Sequence, residues 1–355
     1  MMTFRFRQMC AMALAIPVSL ATAAVETGQM ARADAVTLAS QLIMEVEGEA
    51  LGPRDAAEQA RAKQALLALV NAGDAPALDR ATVYAAARRY LGTVDSDGHA
   101  ILWSQSFAQD WEQKTRAADA ARADVARVAH VDGHDVLVLR PPQSTFQEIA
   151  AEHEYGVNLS ERIETEMRGA HPCAVVVDLS DQLGGNAWPA IALLGGLLTP
   201  DNKARFEDRA GRRTPVVSAK DYAWIRDVMA PLPANPLASL AGAGIGMVLT
   251  PNTASAGEMV AFALAGEPTA RSFGRPSYGM TTANVVVSLA DGATALISKS
   301  RYAMEGAPAV RGPLKPDFPA ELSESVEQSV QRAAQWAVAN SALCRSGAKL
   351  ASQAR

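Results

Sequence analysis

Two runs of the chain, Ala174 to Leu179 and Ile245 to Thr250, are apolar apart from Asp178 and Thr250 near their ends, without any alternation of polar and apolar positions. A strand of that kind must be covered on both faces, the condition met in a parallel sheet flanked by helices. Each run leads through a turn of small residues into an apolar helical stretch, Trp188 to Leu198 in one case and about Ser255 to Ala265 in the other. Val125–Val131 and Val136–Leu139 flank Asp132-Gly133, and Asn284–Leu289 and Ala295–Ser300 flank Asp291-Gly292. Both patterns predict hairpins. Leu159, Ile163 and Met167 recur at helical spacing, as do Val326, Val330, Ala333 and Ala337. Strands alternating with helices in this way predict an α/β fold with parallel crossovers and some antiparallel hairpins.

The region ahead of the first hairpin reads differently. Val36, Ala39, Ile43 and Val46 stack on one helical face, and Ala62, Leu66, Leu69 and Val70 on another that Gly73 can end. Asp79 can cap a third helix carrying Val83, Ala87 and Tyr90. These predict a small helical subdomain reaching to about residue 120. Ahead of it, Arg5 and Arg7 precede an apolar run from Met9 to Leu20, and Ala21-Thr22-Ala23 offers a small-x-small cleavage pattern. That is the layout of an export leader, with an apolar run too short to make a good membrane span. The expected division is therefore a signal peptide over 1–23, a helical subdomain over 24–122, a core over 123–345 and a tail over 346–355. The mature chain is expected to be soluble outside the cytoplasm, periplasmic or secreted, with no membrane span.

The 355 residues suit two domains, or one large core with an added subdomain. A formal net charge of -5 gives no electrostatic case for nucleic acid or anionic membrane. No Cys/His grouping has structural-zinc spacing, and a turn separates His130 from His134, so neither metal nor cofactor is expected. Cys173 and Cys344 remain once the leader is removed. An oxidising compartment permits a bridge between them, while a free buried cysteine at Cys173 is equally natural.

Two strand-to-helix turns can carry chemistry. After Val177-Asp178, the pair Gly184-Gly185 can take positive φ and leave amide N–H groups open to a ligand. After Leu249, the sequence Thr253-Ala254-Ser255-Ala256-Gly257-Glu258 can present the Ser255 hydroxyl beside a helix N-terminus. Each has a plainer reading. Ser255 with Glu258 is also a capping box, and any tight turn uses glycines.

Taken in order, these segments resemble the tail-specific, or C-terminal-processing, serine peptidases. That family has Asp-Leu-Arg-x-Asn-x-Gly-Gly where this chain has Asp178-Leu179-Ser180-Asp181-Gln182-Leu183-Gly184-Gly185. Its Thr-Ala-Ser-Ala/Ser-Gly-Glu segment matches Thr253 to Glu258. Its Gly-x-Pro-Thr-x-Gly segment is similar to Gly274-Arg275-Pro276-Ser277-Tyr278-Gly279, and its Gly-Pro-x-x-Pro-Asp stretch to Gly312 through Asp317. The resemblance runs from about Val125 to Asp317. It implies a ClpP/crotonase-like spiral of β-β-α units, a polypeptide substrate, Ser255 as nucleophile, and an oxyanion hole from the Ala256 amide with that of Gly184 or Gly185. The family's lysine branch places its base where Met280 stands here. The branch resembling the tricorn protease core uses an N-terminal histidine, and Asp95-Ser96-Asp97-Gly98-His99 resembles that segment. His99 is the implied general base, for a peptidase without a PDZ domain.

Some positions depart from the family. Ser180 and Leu183 replace its Arg and Gly, and Gly98 stands where the tricorn-like branch has a serine. The third catalytic member is open between Asp97, Glu305 and neither. Those departures keep a second reading in view, a catalytically idle relative that binds an apolar ligand or a protein partner.

Overall fold

The computed structural model describes residues 27–94, 98–120, 125–143, 149–216 and 235–346. The expected leader and all but the first residue of the expected tail lie outside them. The chain begins with β1 (Gln29–Ala31), α1 (Arg32–Glu49), α2 (Ala56–Asn71), β2 (Ala77–Asp79), α3 (Arg80–Leu91), β3 (Ile101–Trp103) and α4 (Gln105–Ala120). Asp55 starts α2 by accepting from the Ala57 and Glu58 amides, and Asp79 starts α3 by accepting from that of Thr82. Each carboxylate satisfies amides that the first helical turn leaves without partners.

The hairpin β4 (Ala126–Val131) and β5 (His134–Leu139) turns on Asp132 and Gly133, with φ of 49° and 81°. Two successive positive φ values match the twist of paired strands, which is why Asp-Gly serves here. Then come α5 (Ile149–Met167), β6 (Ala174–Asp178), α6 (Trp188–Leu194), β7 (Ala204–Asp208), β8 (Arg213–Pro215), β9 (Gly244–Leu249), α7 (Ala256–Ala265) and β10 (Ala270–Gly274). The chain continues through β11 (Thr282–Ser288), β12 (Thr294–Met304), β13 (Phe318–Pro319) and α8 (Val326–Asn340).

One sheet has the order β13-β10-β9-β6-β5-β4, parallel except for the β4/β5 hairpin. The fully buried β6 and β9 lie at its centre, as their unbroken apolar runs require. Val175, Val177, Ile245 and Met247 face α5, α6 and α7. Val176 and Val248 face Val330, Ala333 and Ala337 of α8. The α8 backbone comes close enough that a Cβ on Gly246 would lie 2.8 Å from the Ala333 carbonyl oxygen. The mixed α/β class expected from the alternation is the class observed.

A second sheet has the order β11-β12-β7-β8, and β3 pairs with β12. Helices α1 to α3 pack on it. Leu38, Leu42, Leu66 and Tyr84 share one core with Leu102, Ala295 and Ile297. The N-terminal helices thus share a core with strands from the C-terminal part of the chain. These helices bury their apolar stripes against those strands, and the N-terminal region lends β3 to their sheet. Three residues are too few for strand alternation to show in the sequence.

Cys173, just before β6, is disulfide-bonded to Cys344 beyond α8, with a Cα–Cα distance of 4.9 Å. Among the described residues, no helix is long and apolar enough to cross a membrane.

Candidate active site

Ser255 joins β9 to α7 with φ 50° and ψ -109°. A positive φ on a side chain with a Cβ costs on the order of 1–3 kcal/mol, so the surroundings must impose it. They do so with hydrogen bonds. The Ser255 amide donates to Glu258 Oε2 at 2.9 Å, while Oε1 accepts from the Gly279 amide at 2.8 Å and the Ser277 hydroxyl at 2.5 Å. Ser277 Oγ in turn accepts from the Leu314 amide at 2.7 Å. The Ala254 amide donates to the Gln182 carbonyl, and Thr253 Oγ1 to the Leu179 carbonyl, tying this turn to the one after β6. Glu258 is wholly buried, and burial raises its pKa against the lowering effect of these donors. The glutamate thus does what a capping box expects of it, yet the serine hydroxyl has a partner elsewhere.

That partner is His99, whose Nε2 lies 2.8 Å from Ser255 Oγ. The histidine is 4% exposed. Its Nδ1 lies 2.8 Å from Thr282 Oγ1, at the start of β11. Thr282 Oγ1 is also 3.2 Å from Ser298 Oγ and 3.5 Å from Asn284 Oδ1. Asn284 Nδ2 donates to the His99 carbonyl at 3.0 Å.

The turn after β6 comes up beside the serine. Gly184 has φ 137°, and a Cβ there would stand 3.1 Å from Ser255 Cβ. Gly185 has φ 110°. Ala256 is the first residue of α7, so its amide has no intrahelical acceptor. Asp178 is buried at the base of the turn, where it accepts from the Ser180 amide at 3.0 Å and pairs with Arg140 at 3.1 Å. Burial raises the Asp178 pKa, opposed by the Ser180 bonds and by Arg140. With serine at position 180, the guanidinium of this turn comes instead from Arg140, directly after β5.

The structure brings together Ser255, His99, Gly184, Gly185 and Ala256. It does not bring Glu305, which is exposed and paired with Arg205 at 3.1 Å. A charged residue on the far strand end has water and a guanidinium to satisfy it, and no reason to turn inward. Asp97 lies outside the described residues. Met280 is buried, Lys299 is paired with Glu49 on α1, and Lys315 is exposed. Thr282, Asn284 and Ser298 were not foreseen. A threonine opening a strand is ordinary, and only its place two residues after the family's lysine position could have drawn notice.

Residues 145–319 match the model for peptidase family S41. The chain carries an S41 peptidase domain. Ser255, Ala256, Gly184, Gly185 and Thr282 lie inside the matched residues, and His99 lies outside them. The nisin-resistance protein of Lactococcus lactis subsp. lactis is 26% identical over 172 residues, 48% of this chain and 52% of that protein. The match thus spans about half the length of that curated relative. A lipoprotein from Streptococcus agalactiae shares the fold, with a TM-score of 0.68 at 17% identity over 86% of this chain and 96% of that one. The photosystem II D1 C-terminal processing protease aligns with a TM-score of 0.36 at 19% identity, over 60% of this chain and 50% of that one.

Proposed function

We propose that the protein is a serine endopeptidase that acts outside the cytoplasm and forms an acyl-enzyme on Ser255. The observation carrying this is the 2.8 Å contact between Ser255 Oγ and His99 Nε2, made by residues 156 positions apart. The contact occurs where the backbone holds the serine in a conformation that serine avoids. Neutral His99 takes the hydroxyl proton as Oγ attacks the peptide carbonyl, and returns it to the departing amine. A water activated by the same imidazole then hydrolyses the ester. The oxyanion of each tetrahedral intermediate lies between the Ala256 amide and that of Gly184 or Gly185. Removing one donor of this kind typically costs about 3–4 kcal/mol of barrier.

Export is supported by the leader pattern and by the Cys173–Cys344 bridge, which persists in oxidising compartments. A lipoprotein and a nisin-resistance protein among the similar chains agree with a place at the cell envelope. The substrate is a polypeptide, and nisin belongs among the peptides to try. The test is labelling of the purified protein with a fluorophosphonate, alongside digestion of a peptide library. Labelling and cleavage that both vanish in Ser255→Ala are expected. A folded wild-type protein that takes no label would overturn the assignment.

A further inference from the structure

His99 can accept the serine proton on Nε2 only if its other proton sits on Nδ1. Something must hold it there. The atom 2.8 Å from Nδ1 is a hydroxyl, Thr282 Oγ1. A hydroxyl is ambiguous by nature, because it can donate to the ring nitrogen or accept from it. If it donated, the proton would be driven to Nε2 and the base would be blocked.

The neighbours of Thr282 offer its proton acceptors other than the ring. Asn284 Nδ2 donates to the His99 carbonyl, which turns Oδ1 of the same amide toward Thr282. Ser298 Oγ offers a second acceptor at 3.2 Å. When either acceptor takes the hydroxyl proton of Thr282, an oxygen lone pair is left to face Nδ1. Thr282 is 1% exposed and Ser298 wholly buried, so water does not compete for these positions. The backbone fixes the group as well, since Thr282 pairs with Arg301 across β11 and β12.

We propose that Thr282 is the positioning residue of His99, a neutral acceptor oriented by Asn284 and Ser298 that holds the imidazole in its Nδ1–H form. This rests on reading Ser255 and His99 as nucleophile and base. Thr282 touches no reacting atom and acts only through the ring.

The test combines ¹⁵N-histidine NMR with the rate of fluorophosphonate labelling, neither of which needs the natural substrate. The His99 resonance is assigned by its loss in His99→Ala. Wild type is expected to show the Nδ1–H tautomer, and Thr282→Val to move the population toward Nε2–H. Labelling should slow by roughly 10- to 100-fold, the worth of one oriented hydrogen bond. Thr282→Ser should restore both. Should Thr282→Val fail to fold, Asn284→Ala serves with the same two readouts and is expected to shift them in the same direction. The proposal is overturned if the tautomer and labelling rate stay at wild-type values while His99→Ala takes no label. It is also overturned if valine and serine slow labelling equally without moving the tautomer, since Thr282 would then only fill space. Wild-type labelling in His99→Ala would sink the dyad itself and the proposal with it.

Discussion

The serine side and the histidine side of the site are built in opposite ways. Ser255, Glu258, Gly184 and Ala256 sit on two neighbouring turns at the ends of adjacent parallel strands, β6 and β9. Their hydrogen bonds fix the turns to each other and to the segment from Ser277 to Gly279. His99 comes from the N-terminal region and is held by residues of β11 and β12, the closest in sequence being 183 positions away. The serine side is thus set by local backbone geometry, and the histidine side by the docking of one sheet beside another. A site made this way should lose its serine side only through changes at the turns. Its histidine side should fail through changes far along the chain.

Removing the reacting group on either side is the largest blow. Ser255→Ala and His99→Ala should each lower turnover by about four to six orders of magnitude with the melting temperature nearly unchanged. Residues that act as a unit are not additive, so the double variant should be no worse than either single one. An additive loss, measured with the best library peptide, would mean the two do not share a step.

Gly184→Val tests whether the serine side is a matter of backbone shape. Its Cβ would press on Ser255 from a φ that valine does not adopt. Turnover should fall by roughly 10²- to 10³-fold, as for the loss of one oxyanion donor. If thermal unfolding shows the fold collapsing in step, the glycine is structural only.

The disulfide sits at the opposite end of β6 from the site. Cys173→Ser with Cys344→Ser should cost about 2–4 kcal/mol in denaturant unfolding. Phosphonate labelling at 25 °C should stay within about twofold, because the serine side does not depend on that end of the sheet.

Glu258 gives a pH signature. Burial raises its folded pKa above the ordinary 4.5, so the folded state binds more protons than the unfolded one just above that pH. Its contribution to stability therefore falls as pH rises from 4.5 through the raised value, then levels off. Glu258→Gln should flatten that slope while costing about 1–3 kcal/mol at acidic pH, since an amide nitrogen would face one of the donors. An unchanged slope would show that Glu258 is not the group titrating. The smallest effect is expected for Lys299→Ala, which breaks an exposed, solvent-screened ion pair with Glu49 and should leave both the melting temperature and labelling nearly unaltered.

The same division decides what could be read from the sequence. The Ser255 turn and the glycine pair were legible because their geometry is local: small residues, then a serine three positions before a glutamate. The central strands were legible because burial on both faces removes every polar residue from a run such as Ala174 to Val177. Thr282 was not, since nothing nearby in sequence marks a hydroxyl that meets an imidazole 183 positions away. Strands β3 and β13 are too short to carry a period, and the N-terminal helices looked self-sufficient because periodicity does not say what an apolar stripe packs against. The bridge between Cys173 and Cys344 is not legible for a related reason, since spacing alone does not report that two chain segments meet.

That bridge has a topological consequence. It closes a covalent ring through β6, the Ser255 turn, β11, β12 and α8, with a sequence separation of 171 between its ends. Ser255, Gly184, Gly185, Glu258 and Thr282 all lie within the ring, and His99 lies outside it. A single cut between Ala174 and Leu343 would open the ring without releasing a fragment, and every part of the serine side would stay on one molecule. A cut between His99 and Cys173 would instead divide the chain into a piece with His99 and a piece with Ser255. Nicked protein run with and without reductant would therefore tell, from band pattern alone, which of the two sides had been severed from the other.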